Sequence, residues 1–379
     1  MPKISDIEAI RLEAPVGEAK AFGHARGRFT SRGSILIKVT ADNGLVGWGE
    51  AWGAAPLATL GYVETLAPLY QGRDIFDRNG AWHDLLRRAY SLRVQNQLTA
   101  VASGINIALY DLAGKHLGVP VHNLLGAAGK AQVPCYASGG YFCNDPGNQL
   151  EHQLGRVADR GFSAFKIKIG TGPAEDAERC RLARRIIGPE PLLLVDVNGA
   201  YQAETAWLAM RRIEEFDIHW MEEPVTSEDF EGLARLGARR LIPIATGESH
   251  MTAHEFKRLL DTGAVDVLMP DLNLCGGFDE GQRAVQLARL YGVRLSPHVW
   301  GTGIGLAAAV HFVAAIPSDP HGLQSPFPSL VEYDVSDSPL RDGLLVEPIL
   351  PEGGMLPVPQ GPGLGIEIDL AAVDRFAAR

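Results

Sequence analysis

Apolar and polar positions follow two different regimes along this chain. In the first third, SILIKVT (Ser34 to Thr40) and LVGWGEAW (Leu45 to Trp52) are short apolar-rich runs flanking Asn43-Gly44. That dipeptide suits the positive backbone angles of a tight turn, so the pattern predicts an antiparallel hairpin. Further on, Val101, Ile105, Leu109 and Leu112 recur at helical spacing and predict a helix with one apolar face to lay on that sheet. The stretch from Pro15 to Gly33 shows neither period. It is polar and basic, with His24, Arg26, Arg28 and Arg32, and is predicted to be a mobile loop.

From about Val133 the pattern becomes short β-branched runs alternating with longer amphipathic stretches, which is the signature of repeated βα units. The runs are VPCYAS, AFKIKI, PLLLVDV, IHWMEEP, IPIAT, VDVLMP and VRLSPHV, with helical patterns between them such as Ala203 to Glu215 and Glu280 to Leu290. A last strand near Ser329 to Glu332 brings the count to eight. The predicted class is therefore α/β, a (β/α)8-type barrel preceded by an α+β N-terminal domain. The boundaries read as 1–128 for the N-terminal domain, 129–332 for the barrel and 333–379 for a C-terminal segment.

Composition narrows the function classes. The chain has 379 residues, 46% hydrophobic and 21% charged, close to the average for a folded globular protein. A formal charge of -10 argues against nucleic acid as a partner, since binding to a phosphate backbone rests on clustered Lys and Arg. Cys135, Cys143, Cys180 and Cys275 have neither zinc-ribbon spacing nor the density of a disulfide scaffold, which fits reduced thiols in a cytoplasm. The start, MPKISDIEAI, lacks a signal peptide's apolar region, and no segment reaches the ~18 uncharged apolar residues of a membrane span. A cytoplasmic protein without membrane contact is expected.

Chemistry enters with the residues that end the barrel runs. Lys168, Asp196, Glu222, Glu248, Asp271 and His298 are separated by 28, 26, 26, 23 and 27 residues, one βα unit each time. Groups at the carboxyl ends of successive barrel strands converge on one mouth. Asp196, Glu222 and Glu248 come from three consecutive strands, and the repulsion among them calls for a hard divalent cation with oxygen ligands, Mg2+ being the natural candidate. Glu223 follows Glu222 directly, so strand alternation points it elsewhere.

Lys166 and Lys168, two apart, share the inner face of their strand, while Phe165, Ile167 and Ile169 face the helices. A neighbouring like charge and burial are expected to depress Lys168 and make it a general base, with Lys166 remaining charged to bind a substrate carboxylate. Asp271 beside His298 would fix the imidazole tautomer and leave the other nitrogen for proton transfer, as a second acid/base across the barrel. Glu332, in LVEYD, lies 34 residues beyond His298 and, if burial holds it protonated, would donate a hydrogen bond to a substrate carboxylate oxygen. His311, within an apolar helical pattern, is expected to be a satisfied core residue.

Such a set suits removal of the proton next to a carboxylate. Deprotonation there builds a second negative charge on an anionic group, and cationic groups around its oxygens would stabilise the resulting enediolate. Either Lys168 or His298 takes the proton, and the opposite group returns one or protonates a departing β-hydroxyl.

On these residues the sequence resembles the enolase superfamily and its mandelate racemase subgroup. The resemblance rests on the K-x-K of Lys166 and Lys168, on Asp196, on Glu222 in WMEEP, on Glu248 in TGE, on the Asp271/His298 dyad and on Glu332. It extends to WGE (Trp48 to Glu50) and GPGLGIEI (Gly361 to Ile368), covering almost the whole chain. It implies a capping domain formed by the N-terminal region and the returning C-terminal segment, one Mg2+ per active site, and homo-oligomers. It also implies an acid sugar as substrate, most often dehydrated. The runs CGGF (Cys275 to Phe278) and PHVWGTG (Pro297 to Gly303) are similar to those of galactarolactone cycloisomerases, so a lactone substrate and a cycloisomerase reaction stand as an alternative. Racemisation or epimerisation of a 2-hydroxy acid is another. Substrate identity is expected to reside in His24, Arg26, Arg28 and Trp52 of the cap, with Asn198, His250 and Trp300 lining the pocket.

Overall fold

Strand β1 (Ile4–Pro15) opens the computed structural model, which describes residues 1–53, 55–88, 90, 97–127, 129–317 and 327–378. A small hairpin of β2 (Phe22–His24) and β3 (Gly27–Phe29) follows, then β4 (Ser31–Ala41) and β5 (Val46–Ala51). β1, β4 and β5 form an antiparallel sheet in that order. Helices α1 (Pro56–Tyr70), α2 (Arg78–Arg88) and α3 (Gln97–Leu117) accompany it, and Ile35, Ile37 and Val39 of β4 share a buried core with Val101, Ile105, Leu109 and Leu112 of α3. The approach of β5 to α3 depends on glycine, because a Cβ on Gly49 would lie 2.0 Å from the Gly104 carbonyl oxygen.

Past the short α4 (Val121–Leu124), strands β6 (Gln132–Ser138), β7 (Phe142–Cys143), β8 (Ala164–Lys168), β9 (Leu192–Asp196), β10 (Ile218–Glu222), β11 (Ile244–Thr246), β12 (Val267–Leu268), β13 (Arg294–Leu295) and β14 (Val331–Asp334) follow. All but β7 belong to one parallel sheet of order β13-β12-β11-β10-β9-β8-β6-β14. Between them run α5 (Leu150–Gly155), α6 (Pro173–Ile187), α7 (Ala203–Ile213), α8 (Phe230–Gly237), α9 (Thr252–Leu260), α10 (Gly277–Tyr291) and α11 (Gly303–Ala315). This is the expected α/β architecture of eight βα units. Among the described residues no backbone ladder joins β13 to β14. Side chains bridge that seam, with the Leu330 amide donating to Ser296 Oγ at 3.0 Å and the Val299 amide to Glu332 at 3.1 Å.

Alternation along the strands assigns the two faces. Tyr136, Ala164, Leu194, Trp220, Ala245, Val267 and Leu330 fill the barrel interior, while Phe165, Ile167, Leu193 and Val195 pack outward with α6 and α7 residues such as Cys180 and Met210. Polar residues at inward positions nearer the strand ends therefore stack on this apolar floor. The chain finishes with α12 (Pro339–Asp342), β15 (Met355–Pro357), which pairs antiparallel with β6, and α13 (Leu370–Phe376) against β1. Asp111 of α3 holds the tail by accepting from the Leu364 amide at 2.8 Å.

Several expectations need correction. The stretch 15–33 is not an irregular loop. Its two three-residue strands are too short to show a period, and β2 is fixed by pairing with β7 next to the barrel (Phe22 with Cys143, Gly23 with Phe142). The Asn43-Gly44 hairpin forms, but only Gly44 takes a positive φ, of 85°; the Leu45 carbonyl accepts from Ala41, giving a wider turn. The last strand begins at Val331 rather than Ser329, and the sixth and seventh barrel strands are only two residues long. The predicted boundary at residue 128 lies outside the described residues. His311 is the satisfied core residue expected, its Nε2 3.0 Å from the Leu364 carbonyl. No helix among the described residues is long and apolar enough to cross a membrane, and the four cysteines are free.

Candidate active site

Parallel register brings the first charged groups together. Lys168 lies opposite Asp196, and Asp196 opposite Glu222, so a base, a short acid and a long acid occupy one row across β8, β9 and β10. Lys166 and Lys168 both point inward from a strand buried at every position. The Lys166 ammonium lies 2.6 Å from Glu222 Oε1, 2.7 Å from Glu332 Oε1 and 3.7 Å from Asp196 Oδ2. Lys168 donates to the same Asp196 oxygen. One carboxylate oxygen of each of Asp196, Glu222 and Glu248 lies within 4.8 Å of the others.

This oxygen-only donor set fits a hard divalent cation. Glu248 Oε2 and Asn198 Oδ1 are buried side-chain atoms without a hydrogen-bond partner among the described residues, an expensive arrangement unless another group satisfies them. Asn198 is held over the row by its positive φ of 50° and by its amide, which donates to Asp196 Oδ1 at 2.8 Å. Burial pushes the Glu222 carboxyl well above its usual range, and the negative charges of Asp196, Glu332 and Glu248 add to this against the pull of Lys166. Asp196 is also buried, but Lys168 and Lys166 outweigh burial and hold it low.

The second candidate acid/base group stands on the far side of the barrel. His298 Nδ1 is 2.7 Å from Asp271 Oδ2, which leaves Nε2 facing Glu248 at 3.8 Å and Glu332 at 4.0 Å. Burial lowers its basicity, yet Glu248, the bond to Asp271 and Glu332 prevail and push His298 up to about 10. Asp271 is itself fixed by the Asn273 amide at 2.7 Å.

Two electrostatic expectations are overturned. Burial and Lys166 do press Lys168 downward, but Asp196 outweighs them and the ammonium is raised above its ordinary value. Glu332 is not a protonated donor. Burial raises it, but Lys166, His298 and Lys168 pull it well below the carboxylate range, and it accepts from Ser138 Oγ at 2.6 Å and from the Val299 amide. The sequence placed these carboxylates near the lysines without revealing that each would face an ammonium at contact distance.

The remaining predicted residues divide. His24, on β2, is half-buried and lies close enough to Lys168 and Asp196 to feel both; burial and Lys168 lower it. Arg26 is exposed beside Gly199, over the loop after β9. Arg28 turns to Asn144 instead. Trp300 packs on Trp52 and Phe29 with ring centres 5.4 and 5.5 Å apart, and Trp52 lies edge-on to His298 at 6.0 Å. His250 turns toward α8, its Nε2 3.1 Å from the Ser227 carbonyl and its ring edge-on to Phe230, away from the row of Lys168, Asp196 and Glu222. Glu223, at φ 39°, accepts from Ser249 rather than joining the row, as alternation suggested.

Sequence reading missed Ser138, Tyr141 and the part played by Arg32. Ser138 was accessible in principle, being two residues after inward-facing Tyr136. Tyr141, whose ring centre is 5.6 Å from the Lys168 ammonium, lies beyond the strand where no period applies. Arg32 was assigned to a loop, but it is buried in an ion pair with Asp334 at 3.1 Å and stacks over Phe22 at 4.5 Å.

Residues 149–372 match the family described as enolase C-terminal domain-like, and residues 6–126 match the mandelate racemase / muconate lactonizing enzyme N-terminal domain. The chain is 39% identical to a D-galactarolactone cycloisomerase of Agrobacterium fabrum, over 97% of this chain and 95% of that one. It is 30% identical to an arabinonate dehydratase of Saccharolobus solfataricus, with 88% of each chain covered. Among solved structures, the 3,6-anhydro-D-galactonate cycloisomerase from Zobellia galactanivorans superimposes with a TM-score of 0.87 at 33% identity over the full length of both chains.

Proposed function

The chain belongs to the mandelate racemase / muconate lactonizing enzyme family of the enolase superfamily, and from that premise we propose that it removes the proton next to the carboxylate of an acid sugar and then expels the group on the β-carbon. The observation that carries this reading is the opposition of two proton-transfer groups, Lys168 on β8 and the Asp271-supported His298, about a three-carboxylate set. One such group alone could exchange a proton; two allow abstraction on one side and delivery on the other.

The roles follow from charge. Lys168 Nζ takes the α-proton. A divalent cation, Mg2+ by family, would be held by Asp196, Glu222 and Glu248 and would supply positive charge to the enediolate oxygens. Were Asp196 to hold that cation, burial and Lys166 would press on the Lys168 ammonium with less opposition, the direction a base requires. Lys166 keeps its charge between Glu222 and Glu332 and faces the substrate carboxylate. His298, whose basicity the bond to Asp271 and the charge of Glu332 both raise, delivers its proton from Nε2 to the leaving oxygen. Asp271 fixes the ring by accepting from Nδ1. Glu332, ionised, orients Lys166 and His298. His24, Arg26, Asn198 and Trp300 meet the rest of the sugar.

If the β-substituent is a hydroxyl, the reaction is a dehydration that yields a keto acid. A second reading is favoured by the 39% identity to the D-galactarolactone cycloisomerase: when the β-oxygen belongs to a lactone ring, the same elimination opens the ring. Incubation with aldonates, aldarates and their lactones in deuterium oxide with Mg2+, followed by NMR, tests the proposal. A keto acid supports the first reading and loss of the lactone ring the second. Exchange of the α-proton without elimination would indicate racemisation, and no exchange on any carboxylate would refute α-proton abstraction.

A further inference from the structure

The end of β5 enters the barrel mouth between the two loops that carry the dyad. Glu50 is 1% exposed, and its carboxylate accepts from Ser34 Oγ, from Thr302 Oγ1 at 2.6 Å, and from the Thr302 and Gly305 amides at 3.0 and 2.9 Å. Those amides form the N-terminus of α11, where a carboxylate is favoured by the unpaired N–H groups and the helix dipole. Two residues on, the Trp52 amide donates to the Asn273 carbonyl at 3.0 Å, while the Asn273 amide holds Asp271 at 2.7 Å. The barrel loop is shaped to receive the carboxylate: a Cβ on Gly301 would lie 2.3 Å from Glu50 Oε1, and one on Gly305 2.8 Å from Glu50 Oε2.

We infer that Glu50 is a positioning residue for His298, locking the 298–305 loop so that docking of the N-terminal sheet and alignment of the Asp271/His298 dyad are one event. All four donors to Glu50 require an acceptor, and the carboxylate has enough lone pairs for them; an amide in its place would turn an NH2 group toward donors and leave at least one unpaired. His298 lies past the two-residue strand β13 and four residues before Thr302; its bridge to Asp271 and the Val299 amide's bond to Glu332 fix the near end of the loop, and Glu50 fixes the far end. A displacement near 1 Å at a proton-transfer group is enough to cost on the order of 10²-fold in rate.

The inference rests on the proposed role of His298. The test compares the Mg2+-loaded wild type with Glu50→Gln and with Ser34→Ala, which removes one donor on the sheet side only. Hydrogen–deuterium exchange should rise in peptides covering 271–275 and 298–305 of Glu50→Gln and remain unchanged in 164–168, 192–196 and 218–222. On a substrate turned over by the wild type, kcat should fall by about 10²-fold with KM within roughly threefold, and Ser34→Ala should show the same pattern at smaller amplitude. Unchanged exchange at 298–305, acceleration spread evenly over the chain, or local loosening with kcat unaltered would overturn the inference. If the wild type acts on no carboxylate, the proposed function fails, whereas the exchange comparison still decides whether Glu50 holds the loop.

Discussion

Lys168 and His298 differ in what holds them, and the difference sets what each substitution should do. Lys168 faces Asp196 from a buried strand position, while His298 sits on a loop with Nδ1 tied to Asp271. On the proposed mechanism, Lys168→Ala removes the base and should abolish α-proton exchange in deuterium oxide. His298→Asn can retain a hydrogen bond to Asp271 but cannot carry the proton, so exchange by Lys168 should persist while elimination falls by about 10²–10⁴-fold. Full activity in both variants would exclude the assignment. These two residues were legible from strand-end spacing alone. Their ionisation was not, because it depends on carboxylates that only folding brings within contact distance.

Among the elements, β5, the β2–β3 hairpin and α3 join the N-terminal domain to the barrel, α3 through Asn106 and Tyr110, which both donate to Asp279 of α10. β5 can approach α3 only without side chains at the crossing, since a Cβ on Gly49 would sit 2.0 Å from a backbone oxygen. Gly49→Ala should therefore cost about 1–3 kcal/mol by overpacking, read as a lower urea midpoint at unchanged slope. Arg32, at the start of β4, pairs with Asp334 at the end of β14, with side chains 5% and 8% exposed. Arg32→Met would leave Asp334 buried without its cation and should destabilise by about 3 kcal/mol, the lower end for a broken buried pair, because Ser336 still donates to Asp334. A midpoint equal to wild type would show that the pair contributes little. The alternating patterns of β4, β5 and the barrel strands made these elements readable, whereas three-residue strands such as β2 and β3 offered too few positions for any period.

For the molecule as a whole, acid sensitivity should arise in part from histidines that burial pushes down to about 4, and His311 is one of these, with His219 and His250. His311 of α11 stacks on His122, with their Nδ1 atoms 3.1 Å apart, and its Nε2 meets the Leu364 carbonyl. Burial, followed by the neighbouring His122, pushes His311 down to about 4 from an ordinary 6.5, although the Leu364 carbonyl favours the charged ring. A histidine depressed in the folded state is protonated first in the unfolded chain. Its contribution is complete above pH about 6.5 and is lost as pH falls toward about 4, at roughly 1.4 kcal/mol per pH unit inside that window. Urea midpoints measured at pH 7, 5.5 and 4.5 should fall, and His311→Gln should flatten the decline by that amount; an unaltered slope would contradict the account.

By itself the sequence determined the class of fold and which charged residues converge at the barrel mouth. Inward alternation and a repeat of one βα unit leave little freedom in where Lys166, Lys168, Asp196, Glu222, Glu248, Asp271 and His298 can point. What only the tertiary structure decided was the state and support of those groups. That Glu332 is ionised, that Lys168 is held by Asp196, that 15–33 is tied to the barrel and that Glu50 reaches the N-terminus of α11 all depend on contacts between residues far apart in the chain. A periodic pattern reports which way a side chain faces. It carries no information about which distant partner it will meet, and in a buried site that partner sets the charge.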